Sequence, residues 1–119
     1  MKVKTSELQG AALDWAVAKC EGLKVRVISG VCHDAELLDM QVDGDTRIIY
    51  STDWAQGGLI IEQECICVGL SMDAPIWYAN KGPERYHQFG PTPLIAAMRC
   101  YVASKMGDEI ELPEELNHV

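Results

Sequence analysis

Five cysteines and three histidines are the first residues of this sequence to suggest chemistry. Cys65 and Cys67 form a Cys-x-Cys pair, and Cys32 adjoins His33. A structural zinc site usually draws its ligands from Cys-x2–4-Cys knuckles in pairs. A Cys-x-Cys pair on a strand turns both thiols to one face, but no second pair follows at ligand spacing. Cysteine is also among the most commonly buried residue types, so core thiols and no metal are expected. A nucleophilic cysteine needs a histidine in reach and a field that lowers its pKa. Cys100 follows Arg99 and lies downstream of His87, yet its place in mid-helix denies it the field of a helix N-terminus. Gly-x-Ser-x-Gly and the glycine-rich phosphate loops are absent. Asp43/Asp45 and Glu62/Glu64 read as turn and helix-surface acids without a partner of fixed geometry. The expectation is a protein that is not an enzyme and carries no cofactor.

A more informative group is aromatic and basic. Trp54, Trp77, Tyr78, Arg85, Tyr86, His87, Arg99 and Tyr101 all fall in one half of the chain. Strand alternation in "IWYAN" sends Ile76 and Tyr78 to one face and Trp77 and Ala79 to the other, so one large aromatic must leave the core face. In the plainer reading, Trp54 and Trp77 anchor the core and Tyr78 sits at the surface. In the other, flat side chains form a stacking platform and Arg85 or Arg99 engages a phosphate or carboxylate. The candidate ligand-binding set is Trp54, Gln56, Trp77, Arg85, Tyr86, His87, Thr92 and Arg99.

These residues need elements to position them. "TSELQGAALDWAVAKCEGL" reads as a helix capped by Ser6, with Gln9 completing a capping box and Gly22 as the left-handed stop. Leu8, Ala12, Trp15 and Ala16 share one face. "LKVRVIS" alternates as a strand. Leu37 to Val42 reads as a short helix or irregular strand, Asp43-Gly44-Asp45 as a turn, and "RIIY" as a short strand. Ser51 or Thr52 caps a helix with Asp53 in its first turn. The Gly57-Gly58 pair within it suggests a kink or a restart. "CICVGLSM", "IWYANK" and "RYHQF" read as strands, separated by turns at Asp73-Ala74-Pro75 and Lys81-Gly82-Pro83. The last helix starts at a Thr92 N-cap, has Pro93 in its first turn and stops at Gly107. Leu94, Met98, Tyr101 and Val102 form its apolar face. Arg99 is expected beside that core, with Trp54 and Tyr86 nearby. The acidic tail is expected to pack loosely. Helices and strands in this order make an α+β protein, a small antiparallel sheet covered by about three helices. Its 119 residues form a single domain spanning 1–119.

The net charge of −8 disfavours nucleic-acid partners, whose binding is dominated by phosphate neutralisation, and anionic membranes. The stretch from Ala79 to Lys105 runs the other way. Lys81, Arg85, Arg99 and Lys105 face Glu84 alone. No apolar run is long enough to span a bilayer, and "MKVKTSELQG" lacks the apolar core of a secretory signal. An odd number of cysteines fits reduced thiols in a cytoplasm.

Three stretches, "MKVKTSELQGAALDWAVAK", "STDWAQGGLIIEQE" and "GPTPLIAAMRCYVASKMGDE", resemble the NinX-like family of unknown function found in tailed bacteriophages and prophages. They cover a little under half of the chain, in the family's order. The pattern is more distantly similar to phage α-β-α sandwich domains. Leu59 stands where family members often have proline, and Val31 to Thr46 is individual to this chain. The resemblance implies a phage origin, a location in the host cytoplasm and a fold, but no activity.

By size and residue inventory the chain is analogous to compact acidic phage proteins that sequester nucleotide-type immune signals. The expectation is a homo-oligomer that binds a small anionic, nucleotide-derived ligand in counter-defence. The alternative is a protein–protein inhibitor or adaptor whose acidic surface meets a basic host protein.

Overall fold

A computed structural model of the chain describes residues 1–72, 76–82 and 85–116. The expected Asp73-Ala74-Pro75 turn, together with Pro83 and Glu84, lies outside them. Among the described residues seven strands and four α-helices follow in mixed order, and the protein is α+β.

The scaffold is a three-stranded antiparallel sheet with a long helix laid across it. Strands β4 (Ile66–Leu70), β5 (Trp77–Lys81) and β6 (Arg85–Gly90) pair in that order. Opposite partners include Ile66 with Lys81, Val68 with Ala79, and Tyr78 with Phe89. Helix α4 (Pro93–Met106) packs on the inner face. Thr92 caps it by accepting from the Ile95 N–H at 3.1 Å, and Pro93 stands in the first turn. Gly107 ends it at φ 87°. Leu94, Met98 and Val102 are buried, as the sequence predicts. Gly90 explains the close approach, because a Cβ there would lie 2.7 Å from the Ala96 backbone nitrogen.

Helix α1 (Gly10–Cys20) packs on α4. Leu13, Ala16 and Val17 join Met98, Val102, Ile60 and Ala79 in the main core. Burying the leucine, valine, isoleucine and methionine side chains among them is worth about 1.5–3 kcal/mol each. The wide apolar stripe of this first helix is therefore covered within the chain. Its start differs from the expected capping box. Thr5–Glu7 is a 3-10 turn and Gln9 precedes the helix without a side-chain cap. Glutamine is a weak cap, and the strand before it decides where the chain turns. That strand, β1 (Lys2–Lys4), pairs with β7 (Glu109–Glu111). As far as Leu116 the tail is thus tied down rather than loose, because Ile110, Leu112 and Leu116 are buried between its acids.

Strands β2 (Val25–Ile28) and β3 (Val31–Asp34) form a hairpin, followed by the short α2 (Ala35–Asp39). "RIIY" contributes only one bridge, His33 to Arg47, instead of a strand. Helix α3 (Trp54–Glu64) is capped by Asp53, which accepts from the Ala55 N–H at 3.0 Å, and not by Ser51 or Thr52. It runs through Gly57-Gly58 without restarting. A Cβ at Gly57 would meet the Tyr50 carbonyl oxygen at 2.5 Å and Leu94 Cδ1 at 2.6 Å, so contact with α4 outweighs the propensity cost of about 1 kcal/mol.

The cysteines divide. Cys32 and Cys100 are buried as expected, but Cys65 and Cys67 are exposed. Cys65 ends α3 in the left-handed region at φ 54°. That reverses the chain into β4 and keeps the pair out of the core. Among the described residues no helix is long and apolar enough to cross a membrane.

Candidate functional site

Arg99 projects from the edge of α4's buried face. Its Nε donates to the Leu8 carbonyl at 2.7 Å and its Nη1 to the Phe89 carbonyl at 2.8 Å. The first acceptor follows the 3-10 turn and the second lies on β6, so one guanidinium stitches two segments to α4. Both acceptors are neutral. Among the described residues no carboxylate pairs with Arg99. Burial pushes its pKa down from the usual arginine range, although a guanidinium stays charged in proteins. Five N–H groups serve two carbonyls here, so donors remain.

Arg99 also lines a cleft of about 500 Å³, with Ser6, Gln88, Phe89, His87, Ile76, Gly90 and Pro91. Its apolar wall is a ring stack on the open side of the sheet. His87 lies 5.5 Å from Tyr78 at 27° and 4.9 Å from Phe89 at 45°, centroid to centroid. Tyr78 in turn covers Gly69, where a Cβ would come within 2.5 Å of the phenol oxygen. The carboxamide oxygen of Gln88 is buried with no partner among the described residues. The cleft thus offers a cation in Arg99 and a hydroxyl in the exposed Ser6.

The structure brings His87 and Arg99 together and disperses the other six candidates. Trp77 packs against the main core, and alternation correctly puts Tyr78 on the opposite face. Arg85 and Tyr86 are exposed at a register shift in β6, where Tyr86 has φ 57° and the Arg85 guanidinium lies 5.7 Å from its ring. Gln56 is a brace. Its Oε1 accepts from the Ile49 N–H at 2.8 Å and its Nε2 donates to the Arg47 carbonyl at 2.9 Å. Thr92 spends its hydroxyl on the α4 cap. Trp54 is exposed at the start of α3, not a core anchor, and with Thr92 lines a separate depression of about 190 Å³. The expected grouping of Arg99 with Trp54 and Tyr86 is therefore not assembled. Alternation along one strand cannot show which distant segment a helix residue meets. Tyr101 is buried in the core and donates to the Glu21 carboxylate.

Sequence reasoning missed Ser6, Gln88 and Phe89. Ser6 reads from sequence as a helix cap. For Gln88 the available signal was a polar residue in "RYHQF" on the face that alternation shares with Ala79. For Phe89, the only phenylalanine of the chain, it was a large apolar residue at a strand end beside Gly90-Pro91.

A second cleft of about 400 Å³ adjoins the first, sharing Ser6 and Gln88 and adding Lys4, Asp108 and Glu109. The buried Thr5 fixes this junction. Its hydroxyl donates to the Gly107 carbonyl at 2.7 Å and its N–H to the Asp108 carbonyl at 2.7 Å.

Residues 4–105 match the family model described as Bacteriophage P22, NinX, and the chain belongs to that phage family. A comparison with curated proteins finds no match.

Proposed function

We propose that this phage protein binds a small anionic, nucleotide-derived ligand at the Arg99 cleft and retains it without turning it over. One observation carries the reading: the Arg99 guanidinium is held in place by two neutral carbonyls, so its charge is positioned but not neutralised. A preplaced guanidinium suits phosphate or carboxylate, which it can bind in a fork. The cleft lies within the range of small-molecule sites, roughly 300–1,000 Å³. The Phe89 and His87 rings supply its apolar wall, and Ser6 and Gln88 its orienting polar groups. Retention rather than turnover follows from this inventory. The one imidazole there, His87, has its ring engaged in stacking. For a phage protein in a host cell, such retention amounts to sequestering a signal, a counter-defence role.

The test is native mass spectrometry of the protein purified from phage-infected cells. The expected result is a retained anion that is lost in Arg99→Gln and partly kept in Arg99→Lys. A co-purifying host protein with no small molecule would instead favour an adaptor docking on the open sheet face, where Tyr86 and Phe89 are 42% and 49% exposed.

A further inference from the structure

The two clefts meet at Ser6 and Gln88 and differ in charge at their outer ends. One end presents Arg99. At the other stand Asp108, Glu109 and Lys4, and Lys4 lies opposite Glu109 in the β1–β7 register. One carboxylate more than the single lysine remains at that end. The exposed Ser6, whose hydroxyl can donate or accept, lies at the joint. Along the groove the demands are therefore an anion, then a hydrogen-bonding group, then N–H donors for carboxylates.

We propose that the joined clefts form one oriented site for a nucleoside 5′-monophosphate whose base carries an exocyclic amino group. This rests on the anion reading of Arg99. The phosphate meets Arg99, with His87 and Phe89 flanking it. A ribose hydroxyl donates to the Ser6 hydroxyl oxygen, and carboxylate recognition of cytosine-type amino groups is established chemistry. The amino group of the base donates to Asp108 or Glu109. A base with a carbonyl at that position sets acceptor against carboxylate and is rejected. A ligand with a second phosphate at its far end, such as a cyclic dinucleotide, meets the same acids and is also rejected.

Cytidine and uridine 5′-monophosphates test the orientation, since they differ at C4 by an amino donor against a carbonyl acceptor. In calorimetric titration, the cytidine nucleotide is expected to bind about tenfold more tightly. In the double variant Asp108→Asn/Glu109→Gln that preference should collapse, while the preference for the nucleotide over unphosphorylated cytidine stays. Both acids are exposed, so the variant should fold, and circular dichroism checks it. Arg99→Lys should do the reverse, weakening the phosphate preference and leaving the base preference. Equal binding of the two nucleotides, still dependent on Arg99, would overturn the orientation and leave the anion site standing. No nucleotide binding, alongside an Arg99-dependent anion in native mass spectrometry, would overturn the ligand class alone. Absence of both would overturn the functional reading as well.

Discussion

Arg47 and Arg99 show how differently one fold can treat the same side chain. Arg47 sits on an exposed corner and forks onto Asp45, with Nε and Nη2 at 2.9 and 2.7 Å from its carboxylate oxygens. That fork holds the Asp45 carboxyl down at about 2. The two residues are neighbours in sequence, so the pair costs little order and cancels its own charge. Arg99 is half-buried, its bonds reach Leu8 near the start of the chain and Phe89 on β6, and its acceptors carry no formal charge. Arg47 closes a turn, whereas Arg99 joins the 3-10 turn, β6 and α4 and still presents a cation. Charge that is placed but not cancelled is what an anion site requires, and local sequence cannot distinguish the two cases.

The largest expected effect lies beneath Arg99. Met98 is fully buried on α4, and Met98→Ala should cost roughly 2–5 kcal/mol through the cavity it leaves. Chemical denaturation measures this. A loss under 1 kcal/mol would mean that the helix bearing Arg99 is not the rigid base the comparison assumes.

The Arg47 corner leads into the loop before α3, which Asp14 holds by accepting the Ser51 N–H at 2.8 Å. Burial pushes the Asp14 carboxyl up to about 6 from an ordinary 3.8, against the pull of Ser51. A raised carboxyl pKa means that the folded chain holds this proton more tightly than the unfolded one. Its contribution is full below pH 4 and is lost as pH rises through 6, a change on the order of 3 kcal/mol. The lowered carboxyls of Asp45, Glu64 and Glu111 act in the opposite sense and at more acid pH. Asp14→Asn should flatten the slope of stability between pH 4 and 6, as read by urea unfolding at several pH values. An unchanged slope would remove Asp14 from the account.

The arginines themselves give the sharpest contrast at a smaller scale. Arg99→Gln should weaken anion binding roughly 10- to 100-fold, the weight of charge-assisted hydrogen bonds, with a stability loss of about 1 kcal/mol. Arg47→Gln should leave binding unchanged and cost little stability, as exposed pairs do. Equal effects on binding from the two variants would dissolve the comparison.

Much of the frame was legible because it is locally encoded. Thr92, Pro93 and Gly107 bracket α4 by cap chemistry, and the alternation in "IWYAN" sorts Trp77 from Tyr78. The Gly22 stop and the hairpin strand Val25–Ile28 follow the same logic. What stayed hidden is non-local. Lys2–Lys4 becomes a strand only because Glu109–Glu111 reaches it from the far end of the chain. Gly57 is a contact residue only once Leu94 lies across it. Of the site, Arg99 and His87 could be singled out by residue type. Ser6 and Gln88 could not, because they share a cleft only once Arg99 ties Leu8 and Phe89, close to each of them in sequence, to α4.

The most direct test follows the guanidinium itself. Two-dimensional nitrogen–proton spectra resolving the arginine side-chain N–H groups can be recorded while cytidine 5′-monophosphate is added. The account predicts saturable shifts of the Arg99 side-chain signals and of the Ser6, Gln88 and Phe89 amides, with the Arg47 signals still. Shifts spread over Arg26, Arg47 and Arg85 without saturation, and an unmoved Arg99, would contradict it.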